Sequence, residues 1–427
     1  MSQNQLTRKL GVLQLVVFYF TTVVGVGIFI VPLVAARIAG PASIISWLIA
    51  IGMAYPFAMI FAHISQKYQV SASIQRFIED ATSFKSGKSF ALFLILTTMS
   101  GNFLLGYSAG RYVIELLGIN DQLMIYPIAA ALMGASCLFN LLNLGLSSKL
   151  QTVCLIVLVV IVELIVITAI PHANSENIIP FIPMGYESIF AAAAICFYSV
   201  TGWENVDAMA EETAHPVKTY RKAIKISLGI ITVFYLSMVV TVISVLTPEQ
   251  IKNSNAILST LLSVSLGKEA AVAGSFVAII LLFLGANVWV MGTSRLIFSL
   301  GRDKILPGFL AKINPKSEVP ANAVMIQFLV YSLIALLMYI HELVEDDIVG
   351  IVSLNYLLLY TIIFFCGVKS FTTKKLKLLA LASLSVTAGF LIHSGTAKFG
   401  VTIFIALLCF CYVYIFKSKL SRELIGG

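Results

Sequence analysis

Long apolar stretches alternate with short polar ones along almost the whole chain. A helix needs about 20 apolar residues to cross a bilayer, and twelve stretches approach or exceed that length. They are Leu10–Ala39, Ile44–Ser65, Phe90–Gly110, Leu123–Leu142, Leu150–Ile170, Ser188–Ala210, Ala223–Leu246, Ala270–Leu300, Asn322–Ile340, Ile348–Val368, Leu376–His393 and Gly400–Phe416. The pattern predicts an all-α membrane protein of twelve transmembrane helices, forming one domain over residues 1–427 with no soluble domain between spans. Among the connections, Gln66–Ser89 is mixed in charge and suits a short surface helix. Pro171–Glu187 and Thr247–Glu269 are also long, and the second holds an amphipathic stretch, Ala256–Leu266, expected at the outer mouth.

Composition supports the same class. Hydrophobic residues make up 59% and charged residues 11%, with a mean hydropathy of +0.97, against roughly 45–50% and 25% in soluble domains. The net charge of +8 would suit a nucleic-acid partner, but the basic residues sit in short loops between apolar runs. That distribution marks topology, and no nucleic-acid partner is expected. Twenty-two Lys and Arg fall on one side, only Arg37, Arg111, Lys252, Lys268 and Lys398 on the other, and Arg295 lies within the eighth span. Positive charge marks the cytoplasm, so both termini are expected inside a cell (inner) membrane. The first apolar run has no small-residue cleavage site and reads as a retained span. All six cysteines lie in apolar runs without a C-x-x-C pair, so neither a metal site nor a disulfide framework is expected. No cofactor is indicated.

Two spans are interrupted at their centres. The first contains Val24-Gly25-Val26-Gly27-Ile28-Phe29 followed by Pro32, and the sixth contains Tyr198-Ser199-Val200-Thr201-Gly202-Trp203-Glu204. Each glycine costs a helix about 1 kcal/mol relative to alanine. Unwound backbone at that depth is tolerated where it lines a cavity or is buried in protein. Taken alone, Gly25 and Gly27 are explained equally well by close helix packing. Interruptions at corresponding positions of two halves point instead to an inverted-repeat transporter with its site at the breaks. Free N–H groups at the first break suit a carboxylate, and free carbonyls at the second suit an ammonium. Together they suit a zwitterionic amino acid.

The same residues resemble the amino acid–polyamine–organocation superfamily. Gly25-Val26-Gly27-Ile28-Phe29 with Pro32 is similar to its first-span signature. The stretch Phe197–Glu204, with Glu211-Glu212 and His215-Pro216, is similar to its sixth span and exit loop. Asn143-Leu144-Gly145 before Lys149-Leu150-Gln151, and Ser294-Arg295 before Arg302-Asp303 and Leu306-Pro307, resemble its entry to span five and its end of span eight. The resemblance implies a five-plus-five inverted repeat, over 10–170 and 188–368, with discontinuous helices 1 and 6 and two extra helices at 376–416. It implies a substrate between spans one and six, held by Val24, Gly25, Val26, Gly27, Tyr198, Ser199, Val200, Thr201, Gly202 and Trp203, with Asn102 and Trp289 beside them. Two branches compete. Trp289 and Gly101-Asn102 resemble the basic amino acid/polyamine antiporters, whose place for tryptophan on span six holds Tyr198 here. Chain length, short tails and Tyr55–Phe61 resemble exporters of methionine and branched-chain amino acids. Ser71-Ala72-Ser73 departs from both, at a place usually rich in glycine.

Ionisable residues inside a membrane are functional candidates by default. Glu204 stands where the resemblance implies proton or substrate handling, with Asn205 as a structural partner otherwise. Arg295 is expected in an inner gate with Glu211, Glu212 or Asp303, or else snorkelling to the interface. Glu163 suits a structural, hydrogen-bonded carboxyl, and His63 an interfacial histidine. Asn287, Thr293, Asn355 and Tyr356 lie at useful depth but equally suit helix packing. Span five carries Leu155–Val159 where some proton-coupled relatives carry a lysine, and the chain has no Gly-x-x-x-x-Gly-Lys-Ser/Thr for nucleotide binding. Without a His-Glu-x-x-His or paired intramembrane aspartates, enzymatic activity is not expected. The expected function is secondary amino-acid transport by exchange or proton-linked alternating access, among membrane lipids, with a neutral substrate favoured slightly. A basic amino acid/polyamine antiporter and a non-translocating receptor or sensor are the alternatives.

Overall fold

In a computed structural model the described residues are 8–25, 27–142, 144–254, 256–342, 345–393 and 396–423. They form helices α1 (Val12–Val24), α2 (Gly27–Ala39), α3 (Ser43–Tyr68), α4 (Ser73–Ala81), α5 (Phe84–Leu117), α6 (Ile125–Asn140), α7 (Leu144–Ala169), α8 (Tyr186–Tyr198) and α9 (Trp203–Asp207). There follow α10 (Pro216–Val245), α11 (Pro248–Asn253), α12 (Ile257–Leu266), α13 (Lys268–Arg302), α14 (Ala321–His341), α15 (Glu345–Ser370), α16 (Lys374–His393) and α17 (Thr396–Glu423). Among the described residues, β pairing is limited to one isolated bridge, Leu10 with Thr213. Among the described residues ten helical stretches are long and apolar enough to cross a membrane, the first being Val12–Tyr68 over α1–α3.

Burial separates two kinds of span. In α1 every residue from Leu15 to Val24 is buried, and in α13 every residue from Leu284 to Gly301. These helices form the centre, with α13 along α5, α1 against α9, α10 and α13, and α2 against α8. By contrast, α7 exposes Val153, Ile156, Val157, Val160, Leu164 and Ile167. These fall at three- and four-residue spacing and make one apolar stripe. Such a stripe is unfavourable in water but fits hydrocarbon, so this is a multi-pass membrane protein.

The connections are more ordered than their polarity suggests. The expected surface helix is α4, but one face of it is buried, with Phe77 stacked on Phe371 at 5.4 Å between ring centroids. The amphipathic stretch is α12, which packs on α13 and α7 through Ile257, Leu258, Leu261 and Leu262. The chain before α1 is tied to the segment after α9, where the Leu10 N–H donates to the Glu212 carbonyl and the Ala214 N–H to the Leu10 carbonyl.

Candidate functional site

Both interrupted spans are broken helices. α1 ends at Val24, Gly25 adopts φ +25°, and α2 resumes at Gly27. α8 ends at Tyr198, and Ser199 and Val200 close tight turns onto the carbonyls of Cys196 and Phe197, each at 3.0 Å. Gly202 then adopts φ +109° before α9, a conformation that disfavours any residue with a Cβ. The breaks also press together. A Cβ at Gly202 would lie 2.7 Å from the Thr22 carbonyl oxygen, and one at Gly27 would lie 2.6 Å from Ser199 Oγ. Tyr235 of α10 joins them, its hydroxyl lying 2.9 Å from the Val23 carbonyl and 2.7 Å from that of Ser199.

Between the breaks lies a cavity of about 20 Å³, lined by Thr22, Val23, Gly27, Gly101, Asn102, Leu105, Tyr198, Thr201, Trp289 and Tyr356. That space holds about one water. No side chain of its lining carries a charge. Gly27 opens α2, whose first N–H groups lack intrahelical partners and form the positive end of the helix dipole. Asn102 donates to the Tyr331 hydroxyl at 2.7 Å, while its Oδ1 has no partner among the described residues. Trp289 and Tyr356 meet edge to face, 6.4 Å apart. The carbonyls expected to be free at the second break are already engaged. Tyr198 accepts from Thr201, Ser199 from Tyr235, Val200 from Trp203 and Gly202 from the Asn205 N–H. Each keeps a second lone pair.

Glu204 is buried beside the second break but does not line this cavity. Its Oε2 accepts from the Gly202 N–H at 3.1 Å and from the Tyr360 hydroxyl. Asn205 turns away and donates to the Val288 carbonyl at 3.0 Å. Further along, Arg295 does not snorkel. It is 1% exposed and holds both oxygens of Glu212, at 2.9 and 3.0 Å. The other two expected partners pair elsewhere, Glu211 with Arg302 at 2.7 Å and Asp303 with Lys88 and Arg76.

A family model described as amino acid permease matches residues 10–421. This chain belongs to the amino acid permease family, within the amino acid–polyamine–organocation superfamily. The permease is 27% identical over 371 residues to the branched-chain amino acid permease BcaP of Bacillus subtilis, covering 82% of this chain and 79% of BcaP. It is 23% identical over 379 residues to cationic amino acid transporter 5 of Arabidopsis thaliana, covering 84% of this chain and 64% of that protein. It is 28% identical over 346 residues to a methylthioribose transporter of Bacillus subtilis, covering 74% and 72%.

Of the residues expected at the permease's site, Gly27, Asn102, Tyr198, Thr201 and Trp289 line the cavity together. Val24, Gly25, Ser199, Val200, Gly202 and Trp203 shape the breaks without lining it, and Val26 lies outside the described residues. Trp203 packs on Tyr19, 5.4 Å between rings, and spends its N–H on the Val200 carbonyl. Thr22, Val23 and Leu105 join the lining unheralded by any motif. Glu163 accepts from Ser237 at 3.0 Å, and Asn287 bonds Asn140 and Ser136. Both therefore tie helices together. Asp207, buried three residues after Glu204, belongs to no motif read in the sequence.

Proposed function

We propose that the permease is a secondary active carrier of amino acids that works by alternating access, with its substrate held between the two helix breaks. The uncharged lining of the cavity carries this reading. A zwitterion balances its own charges there, with its carboxylate toward the N-terminus of α2 at Gly27 and its ammonium toward carbonyls of the second break. An added side-chain charge would meet no compensating group in the lining, at a cost of several kcal/mol. A neutral amino acid is therefore favoured, in keeping with the printed name of BcaP. α1–α2 and α8–α9 are read as single broken spans in a twelve-span, five-plus-five inverted repeat with two extra helices. Both termini lie in the cytoplasm of a cell membrane, and coupling is by exchange or protons.

A second reading is a basic amino acid or polyamine antiporter. The faces of Trp289 and Tyr356 favour it, since aromatic rings hold cations by about 0.5–2 kcal/mol. So does the name of the cationic amino acid transporter. Counterflow in proteoliposomes with leucine, methionine, arginine and ornithine decides between them. Exchange of leucine or methionine is expected, and exclusive exchange of arginine or ornithine would overturn the neutral reading. Binding without flux would make the protein a receptor.

A further inference from the structure

A second small cavity, of about 20 Å³, is walled in part by Glu204, Asp207, Ser71, Ser73 and Gln75. Each of the five is at most 3% exposed, and each keeps one oxygen without a hydrogen-bond partner: Glu204 Oε1, Asp207 Oδ2, Ser71 Oγ, Ser73 Oγ and Gln75 Oε1. Buried polar atoms are normally satisfied, and an orphan costs about 1–3 kcal/mol. The wall of one cavity the size of a single water thus carries five residues that each keep an unsatisfied buried oxygen.

The set is built. Glu204 and Asp207 stand three residues apart on one face of α9. Tyr360 and Gly202 engage one oxygen of Glu204, and Ser65 donates to one oxygen of Asp207. The Ser71 N–H is anchored on Glu211 at 3.1 Å, and the Gln75 amide donates to Glu79 at 2.8 Å, which leaves its Oε1 uncommitted. Ser71-Ala72-Ser73, glycine-poor and unexplained by the family pattern, thus supplies two hydroxyls to a buried acidic pair.

The donor chemistry narrows the ligand. The basic side chains around α9 are already matched: Arg295 to Glu212, Arg302 to Glu211, and Lys88 and Arg76 to Glu79 and Asp303. Glu204 and Asp207 form no salt bridge among the described residues. The phenols facing them, Tyr19 and Tyr220 toward Asp207 and Tyr356 and Tyr360 toward Glu204, supply no positive charge. An all-oxygen set of two carboxylates, two hydroxyls and an amide carbonyl suits a hard cation, not a soft metal or an anion. We propose that this cavity binds one small monovalent cation, either sodium or a hydronium ion of the same charge and similar bulk, between Glu204–Asp207 and the Ser71–Gln75 segment. The occupancy of this site is measurable without transport.

The test is thermal unfolding of the purified full-length protein in detergent, with sodium chloride replacing choline chloride at constant ionic strength, at pH 6 and pH 8. A saturable rise in Tm with sodium at pH 8, weaker at pH 6, is expected if sodium fills the site. A pH response without sodium effect, lost in Asp207→Asn, assigns the site to hydronium. Because Asp207→Asn can also weaken folding, the Ser71→Ala/Ser73→Ala double variant is measured beside it. It keeps both carboxylates and is expected to weaken apparent sodium or proton affinity roughly tenfold. Equal Tm values in sodium and choline at both pH values, with an unaltered pH response in Asp207→Asn and in the serine variant, would overturn the site. Counterflow of amino acids is scored separately, so a protein that responds to cations but carries no amino acid leaves this site standing and removes only the transport reading.

Discussion

The Tyr235 hydroxyl lies 2.7 Å from the Ser199 carbonyl and also reaches Val23 across the gap between the two broken helices. One hydroxyl has one proton, so the two carbonyls share it. Its ring rests on Trp47, 4.7 Å between centroids, and fixes its aim. Tyr235→Phe should keep that packing and leave both carbonyls short of a donor. The expected loss is about 1–3 kcal/mol of stability, with counterflow slowed by more than the fall in folded protein explains. Unchanged Tm and flux would mean that the breaks are held apart from this bond.

At Gly27 the limiting neighbour is a side chain, since the 2.6 Å approach is to Ser199 Oγ. Gly27→Leu should abolish transport while the protein still inserts and can be purified. Gly27→Ala should lose much of its activity, and Ser199→Gly in the same chain should restore part of it, because contacting sites are not additive. Full activity in Gly27→Leu would reduce this glycine to a packing role.

The two inner arginine pairs should respond unequally. Arg295 and Glu212 are each 1% exposed, whereas Arg302 is 33% and Glu211 14% exposed. Arg295→Gln or Glu212→Gln strands a buried charge, at about 3–5 kcal/mol. Removing both partners together, with apolar replacements, should cost less than either alone. Arg302→Gln should cost about 1 kcal/mol or less. Chemical or thermal unfolding of the four variants checks the order.

Acid should reach Asp303 late. Its partial burial would by itself raise the carboxyl's pKa, but Lys88 and Arg76 outweigh that and hold it below the ordinary aspartate range. A depressed folded-state pKa gives stability that is present above the unfolded value, about 3.9, and lost as pH falls through the folded one. The Tm gap between wild type and Asp303→Asn should therefore be constant above about pH 5 and shrink only below about pH 4. A gap that closes near pH 6 would contradict the pairing.

Glu204→Gln separates substrate from ion. Since Glu204 lines the second cavity and not the uncharged one, the variant should still exchange leucine or methionine and change only its pH or cation dependence. Selective loss of arginine or ornithine exchange would restore the cationic reading.

Much of this could be read along the chain, for a local reason. Gly25 and Gly202 sit at positive φ, a residue-specific demand that leaves its mark in the sequence, so both breaks were foreseeable. Arg295 demanded a carboxylate because a buried guanidinium does, and three candidates stood nearby. Which one it took depended on how the segment after α9 folds back on α13, which no local pattern encodes. Tyr235 and Tyr360 reach the centre from helices far along the chain, and each looks like any other aromatic in an apolar run. The expectation of vacant carbonyls at the second break failed in two ways, since Thr201, Trp203 and Asn205 satisfy three of them locally and Tyr235 reaches the fourth from outside the motif.

The uncharged lining has an electrical consequence. A charge crossing the membrane gains or loses about 2.3 kcal/mol per 100 mV, but a zwitterion taken up by a neutral pocket crosses with no net charge. The membrane potential then does no work on the amino acid. Any current that the protein carries belongs to its coupling ion alone, and an exchanger of neutral amino acids runs in electrical silence. Current divided by labelled amino-acid flux therefore counts the ions moved per substrate.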